Sequence, residues 1–318
     1  MGPTAWSGII TLMTDFGDKD GYVAQMKGVL LGIQPRATLV DISHRIAPQA
    51  ILEGALVLRE TVPHFPEGTI HLAVVDPGVG SSRRAVVVRT RLGWLVGPDN
   101  GLLWPTAHQA ARGVATAGGA GGGAGATAGA GAGPAVVSAA HAPEPAAAAA
   151  AGAAAATAAS AVGEWFQLTD PRYQQPLVSP TFHGRDVFAP AAAHLSAGVA
   201  AEEMGPAVLD PVPFDIPEAT ARDGGEAVDG EVLRVDRFGN LVTNVGGAHV
   251  LRLGLGQVIV EVAGETLHGV ADSYASAPAG GLVCVVGSAG YLEVAESGGS
   301  AAARLGAGPG TRVAVRRA

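Results

Sequence analysis

Ile-His-Leu-Ala-Val-Val-Asp-Pro-Gly-Val-Gly-Ser-Ser-Arg-Arg-Ala-Val-Val-Val, residues 70–88, is the stretch that decides the fold. Both of its ends are short apolar runs rich in β-branched residues, which predicts two buried strands. The intervening loop has glycines that allow a ligand to approach the backbone, and Asp76 stands where open α/β sheets bind their ligands. Asp76 and Arg83 are a pair that could hold and polarise a water molecule. The alternative is a tight β-turn with a surface ion pair.

Strand and helix patterns alternate around this loop. Apolar residues at helical spacing predict helices, and short apolar runs predict strands. In chain order the predicted elements are strand 9–13, helix 22–33, strand 38–42, helix 51–62, strands 69–75, 85–90 and 94–97, and helix 191–199. This alternation is typical of βαβ units, so we expect an α/β domain with a largely parallel sheet flanked by helices.

The C-terminal part follows a different pattern. After about residue 225 the helical period is lost, and short strands are predicted at 232–235, 241–245, 257–262, 282–286, 291–295 and 312–315. Short strands at turn-sized spacing indicate a small antiparallel barrel or sandwich. We therefore predict an α/β N-terminal domain at 1–210, a linker at 211–224 and a smaller all-β, barrel-like C-terminal domain at 225–318.

Residues 113–163 consist almost entirely of glycine and alanine. The first half has no side chains that could form a core, and we expect it to be flexible. The second half, 146–162, has high helix propensity but no apolar stripe larger than alanine. We interpret the whole segment as a low-complexity insertion that acts as a spacer.

The composition argues against several classes of function. The net charge of −8 provides no basic surface for phosphates, so we expect no nucleic-acid partner. The single cysteine, Cys284, cannot form a disulfide framework or a cysteine-based zinc site, which fits a cytoplasmic protein. No histidine pair has metal-ligand spacing, so no metal is expected. We also expect neither a signal peptide nor a membrane-spanning segment.

Polar residues without an evident structural role occur in several loops. These loops are Thr14–Gly17 with Asp20, Asp76–Arg84, Phe182–Asp186, Asp236–Asn240 and, less distinctively, Gly287–Tyr291. Each loop taken alone has an ordinary explanation. Asp15 suits an Asx turn, His183 could be a structural histidine, and Asp236 with Asn240 could set a β-turn.

Taken together, these loops resemble the S-adenosyl-L-methionine (SAM) hydroxide adenosyltransferase family, which is related to the fluorinases and chlorinases. The matching motifs occur in family order and cover nearly the whole chain outside the insertion. They are Thr-Asp-Phe-Gly (14–17), Val-Asp-Pro-Gly-Val-Gly (75–80), Arg-Arg (83–84), Pro-Asp-Asn-Gly (98–101), Thr-Phe-His-Gly-Arg-Asp (181–186), Phe-Gly-Asn (238–240) with Thr-Asn (243–244), and Gly-Tyr-Leu-Glu (290–293).

The resemblance implies a hydrolytic reaction in which water or hydroxide attacks C5′ of SAM and releases adenosine and L-methionine. A sulfonium leaves without a proton, so the barrier lies in desolvating, aligning and activating the nucleophile. The family's Asp–Arg–His set corresponds to Asp76, Arg83 and His183. Arg83 is expected to stabilise hydroxide character, Asp76 to orient or deprotonate the water, and His183 to complete the hydrogen-bond set. SAM is the substrate, and no cofactor is expected.

Substrate contacts in the N-terminal domain follow from the same resemblance. Asp15 is expected to accept hydrogen bonds from the ribose hydroxyls. Asp20 matches a position near the methionine end of SAM, and Phe182 is expected to pack beside the adenosyl group.

The resemblance also implies contacts from the C-terminal domain. Asn240 suits an edge of the adenine, Asp236 suits the methionine ammonium, and Ser288 matches a position near the methionine end. In the family the substrate lies between the N-terminal domain of one subunit and the C-terminal domain of the next. A homotrimer is therefore implied, with these residues acting across a subunit interface.

Departures from the related halogenases favour hydroxide as the nucleophile. Halogenases carry an aromatic or small residue where this chain has Asp76, and a carboxylate would repel a halide. The halogenases have a basic residue where this chain has Ala289 and a tryptophan where it has Gln49. These two differences affect the assignment of individual substrate contacts and not the Asp–Arg–His set. The alternatives are a halogenase that forms 5′-chloroadenosine and a non-catalytic SAM-binding protein. Without the resemblance, an enzyme that binds phosphate through the 78–84 loop also fits. The resemblance disfavours a methyltransferase, because the family attacks C5′ and not the methyl group.

Overall fold

The structure is a computed structural model that describes residues 6–112 and 162–318. Both predicted parts of the Gly/Ala-rich insertion lie outside these ranges, except for Val162 and Gly163. The chain divides into two compact units, Met1–Gln49 with Thr61–Pro213 and Ala50–Glu60 with Phe214–Ala318. The predicted domain boundaries, 1–210 and 225–318 with a linker between them, stay predictions.

The first unit is built on a six-stranded sheet. The elements up to residue 213 are β1 (Ile9–Thr14), α1 (Tyr22–Ile33), β2 (Thr38–Ser43), α2 (Ile51–Thr61), β3 (Thr69–Val74), β4 (Ala85–Thr90), β5 (Gly93–Pro98), α3 (Trp104–Arg112), β6 (Glu164–Gln167), α4 (Ala189–Ser196) and α5 (Ala201–Met204). The strand order is β2-β1-β3-β5-β4-β6. Strands β2, β1, β3 and β5 are parallel, and β4 runs antiparallel to both of its neighbours.

The core of the first unit explains why these segments adopt this arrangement. Every residue of β3 and β5 is buried, as expected for parallel strands covered on both faces. Helix α1 buries Met26 and Leu30 and packs against α4. The small side chains of α4 allow this close approach, and the fully buried Phe188 fills the core just before α4 begins.

The second unit is an antiparallel, barrel-like sheet. Its elements are β7 (Thr220–Arg222), β8 (Ala227–Val235), β9 (Leu241–Gly246), α6 (Gly247–Leu253), β10 (Val258–Val262), β11 (Glu265–His268), β12 (Leu282–Val286), β13 (Tyr291–Glu296), α7 (Ala301–Leu305) and β14 (Arg312–Arg317). The strand order is β11-β10-β14-β8-β9-β13-β12, with β7 paired to β8. A bridge between Ala271 and Val285 joins the segment after β11 to the edge strand β12, so the sheet nearly closes.

Most of helix α2 groups with this second unit through polar contacts. Glu60 accepts a hydrogen bond of 2.9 Å from Arg234 on β8. Arg59 donates to the hydroxyl of Tyr291 on β13 and also lies over its ring. The rest of the unit is held by a core of aliphatic side chains from the strands and from α6.

The predicted fold class is confirmed, and α1, β4 and β12 have the predicted bounds. The helix predicted over 191–199 instead starts at Ala189, because proline is tolerated in a first turn, and ends at Ser196. Short elements such as α3 and β11 were not predicted, since their patterns are brief. In the described ranges, none of the helices is both long and apolar enough to span a membrane.

Candidate active site

Three carboxylates follow three neighbouring parallel strands of the first sheet. Asp15 follows β1, Asp76 comes two residues after β3, and Asp99 follows β5. Because β1 pairs with β3 and β3 with β5 in parallel, these residues lie at the same edge of the sheet. This is the edge at which open α/β sheets bind ligands.

Asp76 and Arg83 form a buried, two-point ion pair. Arg83 Nε donates to Asp76 Oδ1 at 3.1 Å, and Arg83 Nη2 donates to Asp76 Oδ2. The Asp76 side chain is only 4 % exposed and the Arg83 side chain only 7 %. A planar guanidinium that binds both carboxylate oxygens is held in one orientation and is partly withdrawn from water. The alternative of a surface ion pair at this loop is therefore wrong.

The same guanidinium connects the pair to His183. Arg83 Nη2 lies 3.1 Å from His183 Nδ1. A guanidinium can only donate, so Nδ1 must accept and the ring proton must lie on Nε2. Burial, followed by the charge of Arg83, lowers the pKa of His183 below its ordinary value, although Asp76 and Asp186 act in the opposite direction. The three residues thus form one connected cluster with a neutral histidine.

Arg83 also retains capacity for a ligand. Its Nη1 donates to the carbonyl oxygen of Arg84 at 3.0 Å, and its cationic carbon lies 5.3 Å from the centre of the Phe188 ring. A guanidinium has five N–H groups. One N–H on Nη1 has no acceptor among the described residues, so it is available to a water molecule or substrate atom.

Close backbone packing brings the two loops of the cluster together. Gly80 has a φ of +76°, and a Cβ there would lie 2.5 Å from the carbonyl oxygen of Pro180. On the other side, Asp186 accepts a hydrogen bond from the backbone of Ser179 and forms an ion pair with Arg185. Burial opposes ionisation of Asp186, but these partners together lower its pKa.

His183 immediately precedes a π-helical turn, Gly184–Phe188, that leads into α4. Such turns are rare and occur frequently at functional sites. The sequence patterns did not predict this turn, because five residues show no helical period. Gly184 is packed tightly, since a Cβ there would lie 3.2 Å from both Met26 and Phe16.

The other candidate residues of the first unit lie in two environments. Asp15 is partly buried, and its Oδ2 accepts a hydrogen bond of 2.8 Å from the backbone of Gln49. Asp20 is exposed just before α1. Phe182 is 8 % exposed and packs edge-on against Phe16 and Tyr22, with ring centres 5.8 and 5.2 Å away. Little of the Phe182 ring is therefore left exposed for contact with a ligand.

The candidates of the second unit behave differently. Asp236 accepts hydrogen bonds from the backbone of Phe238 and Asn240 and from the Asn240 side chain, at 2.8, 2.9 and 2.8 Å. Both of its oxygens are thus engaged within its own turn. Asn240 is buried at 6 % exposure, whereas Phe238 at the tip is 76 % exposed. Ser288 is exposed in the loop between β12 and β13.

Two supporting residues were quoted in the sequence motifs without an assigned role. Arg84 forms ion pairs with the buried Asp99 at 2.7 Å and with Asp210 at 2.6 Å. Asn100 donates to the carbonyl oxygen of Val75 at 2.9 Å, next to Asp76. In the sequence, Arg84 is distinguished only by its position next to Arg83, and Asn100 only by its position shortly after β5. Their long-range partners are seen only in the folded structure.

The first unit has a largely parallel sheet with a buried Asp–Arg pair and a partly buried histidine at its carboxyl edge. Followed in the chain by an antiparallel barrel-like domain, this arrangement defines a two-domain enzyme class. The comparisons identify the family. The N-terminal domain of SAM hydroxide adenosyltransferases matches residues 10–118 and 147–205, and the C-terminal domain matches residues 230–314. The chain therefore belongs to the SAM hydroxide adenosyltransferase family, and the predicted resemblance is confirmed.

Individual relatives agree with this family. A protein of Salinispora arenicola named (R)-S-adenosyl-L-methionine hydrolase is 35% identical over 99% of each chain. A Thermus thermophilus protein with the same name is 36% identical over 93% of this chain and 95% of its own. A fluorinase of an Actinoplanes species is 28% identical over 80% and 77%. The crystal structure of an uncharacterised conserved protein from Thermotoga maritima matches with a TM-score of 0.76 and 30% identity, over 97% of this chain and 100% of that one.

Proposed function

We propose that the protein hydrolyses SAM by attack of water or hydroxide at C5′, giving adenosine and L-methionine. The observation that carries this proposal is the buried Arg83, whose guanidinium binds both Asp76 and His183 and retains one N–H. The names of the relatives that match nearly the whole chain support the same reaction and indicate the (R)-sulfonium form of SAM as the substrate.

The reaction needs little covalent help from the protein. The C5′–S bond breaks with its electron pair going to sulfur, and the new C5′–O bond forms from the water oxygen. One water proton must leave, and no proton is delivered to the neutral thioether product. The protein therefore has to align and dehydrate the water and to stabilise negative charge on its oxygen.

The geometry supports a division of roles within the cluster. Arg83 supplies the fixed positive charge that favours hydroxide character in a nearby water molecule. Asp76 is held by the guanidinium fork, and its remaining lone pairs orient the water and receive its proton. His183 Nδ1 faces Arg83, so this histidine orients the guanidinium and offers an N–H from Nε2. It is therefore not the general base in this proposal.

The substrate contacts are proposed on the same basis. Asp15 binds the ribose hydroxyls with the lone pairs left by its single backbone partner, and Asp20 lies near the methionine end. Phe182 presents its remaining edge to the adenosyl group. These residues lie in loops next to strand ends or to α1. Open α/β sheets bind their ligands just beyond the carboxyl ends of the strands.

The C-terminal residues fit a modified version of the predicted contacts. Asn240 uses its amide N–H on Asp236, so its Oδ1 is the atom that can accept from an adenine amino group. Asp236 then acts by orienting Asn240, and Ser288 contacts the methionine end. As the family resemblance implies, we place these contacts across the interface of a cytoplasmic homotrimer.

Chromatography of purified protein incubated with SAM tests the proposal, with and without chloride. Equal amounts of adenosine and methionine, independent of halide, are expected. Formation of 5′-chloroadenosine would assign the chain to the halogenases, whose fluorinase relatives match at lower identity. Bound but unchanged SAM would indicate a binding protein, and sedimentation of the same sample measures the trimer.

A further inference from the structure

Glu293 is a buried carboxylate that the proposed reaction does not use. It lies on β13 and is 7 % exposed. Carboxylates are rarely buried unless a cation pairs with them. In the described part of the chain no lysine or arginine forms an ion pair with Glu293, and nearby Arg234 pairs with Glu60 instead. Burial raises the pKa of the Glu293 carboxyl group; the charges of Asp236 and Glu60 act in the same direction, and the hydrogen bond from Tyr274 and the charge of Arg234 act in the opposite one.

The two oxygens of Glu293 contact two different segments. Oε2 accepts a hydrogen bond of 2.7 Å from the hydroxyl of Tyr274, which lies in a short turn before β12. Oε1 lies against Gly287, so closely that a Cβ on residue 287 would overlap it. The carboxylate therefore occupies the space that a side chain at 287 would take, which explains the glycine.

Gly287 begins the loop that carries Ser288. This loop, Gly287–Gly290, joins β12 to β13 and is closed by backbone hydrogen bonds from Gly287 to Tyr291 at 2.8 Å and from Gly290 to Gly287 at 2.9 Å. The carbonyl oxygen of Gly290 accepts from Gly247 at 2.7 Å. Ser288 itself is exposed, so Glu293 packs beneath the loop at Gly287 while the serine faces outward.

We propose that Glu293 is a positioning residue: together with Tyr274 it holds the Gly287–Gly290 loop so that Ser288 is presented to the methionine end of the substrate. This inference rests on the proposed function. Glu293 acts on substrate binding through the loop and has no part in the proposed chemistry of Asp76, Arg83 and His183. Its removal should therefore raise KM and leave kcat nearly unchanged.

Steady-state kinetics with SAM test this role in Glu293→Ala, Glu293→Gln and Tyr274→Phe. We expect KM to rise about tenfold in Glu293→Ala, which corresponds to about 1.4 kcal/mol of binding, with kcat within about twofold. Glu293→Gln should stay near the wild type, because the amide has the same shape and its oxygen still accepts from Tyr274. Tyr274→Phe should give an intermediate KM.

The chain offers a matched control on the same strand. Glu296 is also on β13, lies against a loop glycine, Gly299, and pairs with Arg304 at 3.7 Å. Glu296→Ala should leave KM unchanged. Ser288→Ala should raise KM, and the double variant Ser288→Ala/Glu293→Ala should be no worse than the larger single effect, because both act through one contact.

Hydrogen exchange of the 287–290 amides gives a readout that does not depend on turnover. Exchange should be faster in Glu293→Ala and unchanged in Glu296→Ala. Unchanged KM and exchange in folded Glu293→Ala, a loss confined to kcat, or additive effects with Ser288→Ala would each overturn the positioning role. If Glu293→Ala does not fold, Tyr274→Phe, for which a raised KM and faster exchange are expected, decides by the same criteria. A wild type that forms no adenosine would refute the proposed function instead, and exchange would still decide the role of Glu293.

Discussion

Asp76 in the first unit and Asp236 in the second are aspartates in glycine-containing loops after a strand, yet they have different partners. Asp76 binds Arg83, which in turn reaches His183, 100 residues further along the chain. Among the described residues, the side chain of Asp236 accepts hydrogen bonds from groups within its own turn, up to four residues away. The first arrangement exists only when the sheet has formed, whereas the second is a local turn.

The difference shows what separates a reactive cluster from a structural one. In the Asp76 cluster, a buried charge pair keeps unused lone pairs and one unused N–H for a ligand. In the Asp236 turn, hydrogen-bond capacity is largely consumed by the backbone and by Asn240. Polar residue types alone therefore do not distinguish the two, and the sequence distance of their partners does.

The largest expected effect tests the reactive side of this comparison. Asp76→Ala and Arg83→Ala should each lower kcat by about 10² or more, because each removes an acid/base or electrostatic contribution. Adenosine formation under saturating SAM is the measurement. Asp170→Ala, which breaks the exposed pair with Arg172 at 2.7 Å, should retain activity. Full turnover by Asp76→Ala would contradict the catalytic role.

A smaller effect is expected from Asp15, whose side chain accepts from the backbone of Gln49 and keeps other lone pairs for a ligand. Asp15→Ala should raise KM about tenfold or more with little change in kcat, since a hydrogen bond to a charged group contributes about 1.5–3 kcal/mol. Titration of SAM binding by calorimetry checks the change. Asp18→Ala removes a neighbouring exposed carboxylate paired with Arg45 and should bind normally. Equal affinity for SAM in both variants would show that Asp15 has a structural role in its turn and does not bind the substrate.

Asp236 should affect stability more than chemistry. Asp236→Ala leaves three donors in the turn without their acceptor and should lower the free energy of unfolding by about 1–3 kcal/mol. Denaturant unfolding measures this loss, and kcat should stay within about threefold. Asp229→Ala on the preceding strand, β8, breaks the exposed pair with Arg222 and should change stability by about 0–1 kcal/mol. A large kcat loss without destabilisation would give Asp236 a direct role.

The smallest effect concerns pH. Because the pKa of His183 is lowered from 6.5, the folded protein keeps this ring neutral at pH values where a free histidine is already charged. Activity should therefore fall only as pH decreases through a value below 6.5, where protonated Nδ1 can no longer accept from Arg83. A kcat/KM profile measures this limb, which His183→Gln should abolish. His194, whose pKa is also lowered by burial, provides the control His194→Gln, which should leave the limb in place.

Much of the fold followed from local patterns, with characteristic exceptions. The helical period of α1 and the apolar runs of β4 and β12 predicted the bounds of these elements. Each of these patterns is regular and is contained in the element itself. Short elements were missed where pairing supplies the stability, as in β11 on a sheet edge. The π-helical turn after His183 has no pattern of its own and depends on packing against Phe16 and Met26.

The sequence by itself determined the succession of α/β and all-β patterns and, through its motifs, the family. Tertiary structure decided which polar residues form a site. Only the folded sheet brings the donor Arg83 to His183 Nδ1, which fixes the histidine tautomer, and buries most of the Asp76–Arg83 pair. Tertiary contact likewise placed Glu293 beneath Gly287. Periodicity records which side chains are buried, but hydrogen bonds between loops 100 residues apart depend on a geometry that no local pattern contains.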